Sequence, residues 1–135
     1  IFEGFPLTYF CGGAGLAGTA EAYSVFAEML LNEGSLRSGA VLEPESVRHM
    51  KTPYIPISGD RNDAQWWGLG VRVIANDRYT LPKGCFGWSG AYGSHFWVDP
   101  ENRVTAVYMK NSRFDGGSGA QSSAWFEEDV AHSFR

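Results

Sequence analysis

The chain has 135 residues, enough for one domain, and 44% of them are hydrophobic, which favours a packed core over wholesale disorder. Its formal net charge of −4 gives it no basic character suited to a phosphate backbone, which argues against a nucleic-acid partner. No apolar run approaches the roughly 18 residues of a membrane span. Cys11 and Cys85 leave two alternatives open, a disulfide and two buried free thiols. The histidines and cysteines show no ligand spacing, so we expect no metal and no other cofactor.

Two helices are predicted in the first part of the chain. Residues 19–32 place their apolar side chains on one face, Thr19 is a suitable cap, and Gly34 ends the helix. Residues 44–51 predict a second, short helix that Pro53 prevents from continuing.

The middle of the chain predicts strands. Apolar residues alternate with glycine and arginine over 66–75, and this period of two indicates one strand. Two further β-rich runs, 94–98 and 104–109, flank residues 99–102, whose composition is typical of a hairpin loop.

A last helix is predicted to start at Ser122 or Ser123, and its apolar residues recur at a spacing of four: Phe126, Val130 and Phe134. Consecutive strands with short connections predict an antiparallel sheet of about three strands flanked by helices, an α+β fold. We assign residues 1–135 to one unit. Because three strands cover little of the apolar helix faces, we expect more sheet or helix to be supplied from elsewhere.

A glycine-rich stretch, GGAGLAGTAEAY at residues 12–23, contains the G-x-G-x-x-G spacing of a dinucleotide-binding loop. That loop requires a strand before it and a parallel strand after its helix. Residues 7–10, which precede the loop, are only a short run after Pro6, and a second helix follows the first. We therefore expect the glycines to serve a tight backbone turn and not a nucleotide.

Several short motifs occur together, in order, along nearly the whole chain. They are GGAGL at 12–16, FAEMLLN at 26–32, LEPESVRHM at 42–50, WGLG at 67–70 and FGWSGAYGSHFWVDP at 86–100. Together they resemble the serine β-lactamases, the D-alanyl-D-alanine carboxypeptidases and the related esterases. The resemblance implies the C-terminal part of a β-lactamase-like fold.

The resemblance also implies a reaction, acyl transfer to a serine followed by hydrolysis of the acyl-enzyme. The family uses three motifs: Ser-x-x-Lys, Tyr-x-Asn or Ser-x-Asn, and Lys-Thr-Gly or a variant. The third motif here looks like residues 88–90, Trp-Ser-Gly. By position, the resemblance assigns catalytic roles to Ser89 and to Ala91, whose backbone N–H would be an oxyanion donor. It assigns substrate binding to Trp88, Gly90, Tyr92 and Asn111.

The first two motifs are missing from these residues. The nearest approach to Ser-x-x-Lys runs from Thr80 to Lys83, and Pro82 disfavours the helical turn that the motif needs. In the family both motifs lie upstream of the region seen here. We therefore expect this chain to be the C-terminal portion of a longer hydrolase. We expect an N-terminal polypeptide portion to carry the nucleophile, and this chain alone to be inactive.

A second departure is Trp88, where lactamases and peptidases usually carry lysine or histidine. A cation there pairs with a substrate carboxylate, whereas tryptophan offers a flat apolar wall and one donor. Among small-molecule esters and amides, we therefore expect uncharged short-chain esters to be preferred. His95 is a candidate general base, but we expect a surface or packing role, and we expect Arg72 and Arg113 to be solvated.

A competing interpretation is a non-enzymatic binding module. It would use a surface of exposed aromatic side chains to stack on sugar or peptide: Trp66, Trp67, Trp88 and Trp97. Burial of these side chains between sheet and helices would argue against it.

Overall fold

A computed structural model describes residues 13, 16–112, 114 and 117–134. The helices are α1 (Ala20–Leu31), α2 (Pro44–Met50) and α3 (Gln121–Ser133). The strands are β1 (Ser35–Leu36), β2 (Gly39–Ala40), β3 (Ile55–Pro56), β4 (Gln65–Trp67), β5 (Arg72–Ile74), β6 (Phe86–Ser89), β7 (His95–Asp99) and β8 (Val104–Tyr108). Strands β1 and β2 form a small hairpin between the first two helices.

The other strands form one six-stranded sheet in the order β3-β4-β5-β6-β7-β8. Each strand pairs antiparallel with the next one along the chain. The predicted α+β class, an antiparallel sheet flanked by helices, is confirmed. Such a meander needs only short connections, which is what the turn-rich sequence between the strands provides.

Alternation along β7 divides the core between the two faces of this sheet. Phe96 and Val98 join a cluster with Ala27, Met29 and Leu30 of α1. The intervening Trp97 joins a second cluster on the α3 side, with Ile74, Leu81, Cys85, Ala106 and Ala131. Successive side chains of a strand point to opposite faces, so α1 and α3 cover opposite sides of the sheet.

The ends of the first two helices follow the predicted signals. The side-chain oxygen of Thr19 accepts a hydrogen bond from the N–H of Ala22 at 3.1 Å. Gly34 has φ +94°, and its N–H donates to the carbonyl of Met29 at 2.9 Å. Pro44 occupies the first turn of α2.

The single strand predicted over 66–75 is wrong, because the chain reverses within it. The N–H of Gly68 donates to the carbonyl of Val71 at 2.8 Å, and Gly70 has φ +78°. A Cβ at residue 68 would lie 2.0 Å from the carbonyl oxygen of Met50, so only glycine fits against α2. This turn separates β4 from β5, and it is one reason why the sheet has more strands than the three predicted.

The last helix begins at Gln121, one or two residues before the predicted start, and Ala120 is its N-cap residue. Phe126 and Val130 pack on the α3-side cluster, whereas Phe134, the third residue of the predicted apolar series, is 62% exposed.

The dinucleotide interpretation finds no support in this topology. Helix α1 is followed by the β1–β2 hairpin and α2, not by a parallel strand, and the strands in the described ranges pair antiparallel. Gly13 and Gly18 are described, whereas Gly15 lies outside the described residues. None of the helices in the described part of the chain is long and apolar enough to cross a bilayer.

Two glycines of the 86–90 stretch differ sharply in the space around them, which allows a matched test. A Cβ at Gly87 would lie 2.1 Å from the carbonyl oxygen of Phe96 and 2.6 Å from the Cα of Trp97. We expect Gly87→Ala to force β6 away from β7 and to lower the free energy of unfolding by about 1–3 kcal/mol. The nearest atom to a Cβ at Gly90 would be 3.7 Å away. Gly90→Ala should therefore change the free energy of unfolding by no more than about 0.5 kcal/mol. Urea denaturation measures both, and equal losses would contradict this account.

Candidate functional site

The candidate site lies where β6 ends and the chain turns into β7. The register pairs Trp88 with Phe96 and Ser89 with His95, so Ser89 and His95 flank the turn at its base. The N–H of Gly90 donates to the carbonyl of Ser94 at 2.6 Å, and the N–H of Gly93 donates to the carbonyl of Gly90 at 2.9 Å. Neither of these bonds uses the N–H of the residue at the tip, Ala91.

Trp88 lies on the α1 side of the sheet. Its ring packs edge-on against that of Trp67, with the ring centroids 4.5 Å apart. Trp88 is half-buried and packs against the apolar cluster of that side. It therefore presents an apolar wall beside the turn.

Ser89 points to the opposite face of the sheet, under α3. Ser89 is only 5% exposed, and its Oγ lies 2.8 Å from Nδ1 of His95. His95 is buried as well. The backbone carbonyl of Ser89 accepts a hydrogen bond from the Oγ of Ser118 at 3.2 Å. The serine hydroxyl is thus enclosed by protein and engaged with an imidazole.

The imidazole in turn meets a buried carboxylate. Nε2 of His95 lies 2.8 Å from Oε1 of Glu127, which is within ion-pair distance. The ring N–H does not point along this contact, so the pair does not form a hydrogen bond of normal geometry. The same carboxylate pairs with the guanidinium of Arg72 and accepts a hydrogen bond from the hydroxyl of Tyr79 at 2.8 Å. Glu127 is 2% exposed, so its charge depends on these partners and not on water.

Opposing effects set the acidity of this carboxylate. Burial raises the pKa of Glu127, but the close contact with His95 and the positive charge of Arg72 outweigh burial, so the pKa lies below its ordinary value. Burial, and then the charge of Glu127, raise the pKa of Tyr79, which keeps the phenol protonated as a donor. An ionised Glu127 favours a proton on Nε2 of His95, which leaves Nδ1 to accept from the Ser89 hydroxyl.

The remaining residues assigned by resemblance lie around the turn. Gly90, Ala91 and Tyr92 are exposed at its tip. Asn111 is exposed three residues beyond Tyr108, which is the end of β8 that lies nearest the turn. The Oγ of Ser94 donates to the carbonyl of Lys110, the neighbour of Asn111, at 2.9 Å, which ties this end of the sheet to the turn. The structure thus brings the 88–92 residues and Asn111 to one edge, with Ser89 facing inward.

Arg72 was expected to be solvated, and that expectation is wrong. It is 8% exposed, because it stands in a fully buried strand and its guanidinium meets Glu127. His95 has a packing position, as expected, but it also holds the hydrogen bond to Ser89. Arg113 lies outside the described residues.

Sequence reasoning missed Glu127 and Tyr79. One signal was present: Glu127 stands midway between Ser123 and Ala131 at a spacing of four, and all three are buried on one stripe of α3. A carboxylate on such a stripe needs a buried cation, and Arg72 among the apolar residues of β5 was a candidate for it.

The four tryptophans of the binding-module interpretation do not form one exposed surface. Trp97 is 2% exposed beneath α3, whereas Trp88 packs on the α1-side cluster and its ring contacts that of Trp67. Trp66 is half-buried, and its indole N–H donates to the carbonyl of Asp63 at 2.9 Å. This arrangement argues against a stacking platform.

Cys85 is buried and free. Burial, and then the nearby charge of Asp99, raise the pKa of its thiol, which makes it a poor nucleophile. Cys11 lies outside the described residues.

The buried carboxylate predicts a specific dependence of stability on pH. We expect Glu127→Gln to lower the free energy of unfolding by about 3–5 kcal/mol at pH 7, because it leaves the charge of Arg72 buried and unpaired. Since the pKa of Glu127 is lowered in the folded chain, its contribution is complete above the ordinary value of 4.5 and is lost as the pH falls through the lower folded value. The difference between wild type and Glu127→Gln should therefore shrink below about pH 4.5.

Urea denaturation at a series of pH values measures this difference. Glu128→Gln is the matched control, because Glu128 is the exposed neighbour on the same helix, and it should leave stability almost unchanged. A Glu127→Gln deficit that stays constant down to pH 2–3 would show that the carboxylate charge does not stabilise the fold.

Three comparisons with known proteins show what this chain is similar to. The profile of the Beta-lactamase family matches residues 3–125. The chain is 34% identical over 118 residues to "Uncharacterized protein MT1414" of Mycobacterium tuberculosis strain CDC 1551 / Oshkosh, and equally to "Protein Rv1367c" of strain ATCC 25618 / H37Rv. Those alignments cover 77% of this chain and 29% of each relative, so the chain spans less than a third of their length.

Among solved structures, the fold is similar to that of "EstCE1, a hydrolase with promiscuous acyltransferase activity". The TM-score is 0.68 at 21% identity, and the match covers 84% of this chain and 30% of that one. This likeness concerns the fold. The family match extends over almost the whole sequence and includes the strand and turn that form the candidate site, and the chain therefore belongs to the beta-lactamase family.

Proposed function

We propose that this chain forms one wall of the acyl-transfer site of a serine hydrolase that prefers uncharged short-chain esters to β-lactams. The observation that carries the proposal is the placement of Trp88. Its half-buried indole lies on an apolar cluster, beside the exposed turn whose tip is Ala91. The turn would stabilise the negative charge that develops on the carbonyl oxygen of the substrate. The indole would favour substrates whose groups beside it are uncharged.

The turn suits an oxyanion site because it is held from both ends. Its closing bonds engage Gly90 and Gly93 and leave the Ala91 N–H out. A backbone donor held in place needs no reorganisation when charge develops on the carbonyl oxygen. In this proposal the Ala91 N–H donates to that oxygen.

The indole of Trp88 supports a preference for esters because it carries no positive charge. A lysine at position 88 would offer a cation to the carboxylate of a β-lactam or a D-alanyl peptide, whereas Trp88 would leave that carboxylate desolvated without a partner. An alkyl ester instead covers apolar area on the ring. The name of EstCE1 describes a hydrolase with acyltransferase activity on a similar fold, which agrees with this class of reaction.

Ser89 is a poor nucleophile in this arrangement, since it is enclosed beneath α3 and faces away from Trp88. We therefore propose that another part of the protein supplies the attacking serine. Its hydroxyl oxygen would bond to the ester carbonyl carbon and its proton would pass to a base. The C–O bond of the ester would then break, and the base would give the proton to the departing alcohol. Water would then release the acid and regenerate the serine.

The first test compares substrates on the protein expressed from its complete reading frame. We expect kcat/KM for p-nitrophenyl butyrate to exceed that for nitrocefin, and Trp88→Lys to shift the ratio toward nitrocefin by about tenfold, equivalent to about 1.4 kcal/mol. Trp125→Lys is the matched control, because Trp125 is 60% exposed on α3, and it should leave the ratio unchanged. Faster nitrocefin turnover by the wild type would refute the ester preference.

The second test uses this chain in isolation. We expect its hydrolysis of p-nitrophenyl butyrate to equal that of its Ser89→Ala variant and of buffer, because the proposed nucleophile lies elsewhere in the protein. A spectrophotometric assay at 400 nm measures the release of p-nitrophenolate. Robust hydrolysis by the isolated chain that disappears in Ser89→Ala would mean that Ser89 itself attacks.

A further inference from the structure

We propose that His95 is a positioning residue for the proposed reaction: by bonding to Ser89 across the base of the 90–94 turn, it holds the Ala91 N–H where the oxyanion forms. This inference rests on the proposed function and adds to it a residue that never touches substrate. It also gives a role to the buried chain of contacts from Glu127 through His95 to Ser89.

The register places the hydrogen bond between Ser89 and His95 across the base of the turn, and we refer to this bond as the clasp. Ser89 is the last residue of β6 and His95 the first of β7, and the two face each other across the ladder. Their side chains join at 2.8 Å on the α3 side, while the backbone bond from Gly90 to Ser94 closes the turn at 2.6 Å. A turn fixed by two bonds at its base has little freedom at its tip.

The imidazole is itself fixed from several sides. Glu127 lies 2.8 Å from Nε2, and its carboxylate is held by Arg72 and Tyr79. The ring of Phe126 stands perpendicular to that of His95, with the centroids 6.4 Å apart. Residues of α3 and β5 and the loop residue Tyr79 thus determine where the imidazole lies, and the imidazole determines where Ser89 lies.

The size of the expected effect follows from the sensitivity of catalysis to position. Misplacement of a catalytic group by about 1 Å costs roughly 10²-fold in rate. Loss of the clasp should therefore appear mainly in kcat, because an oxyanion donor acts more strongly on the transition state than on the bound ester. Substrate binding against Trp88, on the other side of the sheet, should change little.

The test uses variants of the protein expressed from its complete reading frame. In His95→Leu we expect kcat for p-nitrophenyl butyrate to fall by about 10–100-fold, with KM changed less than about threefold. His95→Asn should restore most of the loss, because its side-chain amide can accept from the Ser89 hydroxyl near the position of Nδ1. Val98→Ala is the matched control: Val98 is fully buried in β7 on the α1 side, so it lowers stability without touching the clasp.

A second measurement separates this inference from the proposed function. Hydrogen–deuterium exchange of the protein expressed from its complete reading frame should show faster exchange at residues 90–93 in His95→Leu than in Val98→Ala or the wild type. If the wild type hydrolyses no ester, the proposed function fails, and exchange alone decides the role of His95. Unchanged exchange at the turn, or a fall in kcat no greater than that of Val98→Ala, would overturn the inference.

A third outcome would overturn it in another way. If a fluorophosphonate probe labels Ser89 in the wild type, the serine is a nucleophile and His95 is its base, not a positioning residue. Labelling elsewhere, with Ser89 unmodified in the tryptic digest, supports the clasp.

Discussion

The carboxylate of Glu127 is the constraint on which the α3 side of the structure depends. It is almost fully buried, and a bare charge there would be too costly to keep. Arg72, Tyr79 and His95 surround it, and each comes from a different part of the chain. The helix can therefore dock in few ways, because a shift along the sheet would separate the carboxylate from its partners.

The polar network also joins the core to the turn that we propose as the oxyanion site. An apolar contact between α3 and β7 would hold the helix equally well, but it would not fix the direction of the Ser89 side chain. Hydrogen bonds have preferred directions, whereas apolar packing has much weaker ones. The buried polar atoms thus contribute geometry at the strand end, and the two apolar clusters contribute most of the stability.

Local signals in the sequence predicted the helices, the hairpin after Asp99 and the antiparallel α+β class, because caps, prolines and periodicity act over a few residues. The turn at 68–71 was missed since it depends on the close approach of Gly68 to the carbonyl of Met50, a contact between distant segments. The link between Arg72 and Glu127 spans 55 positions, and no local pattern reports such a distance. The family motifs directed attention to residues 88–92, whose site roles remain a prediction, and they gave no sign that Ser89 is buried.

The alternation along β6 sends the side chains of two adjacent residues to opposite faces of the sheet. Trp88 faces the α1 side and Ser89 faces the α3 side, so these neighbouring residues pack in different parts of the core. A change of side chain at 88 alters the apolar wall without disturbing the bond to His95. Under the proposed function, substrate preference can therefore change at residue 88 while the hydrogen bond that supports the turn is kept at residue 89.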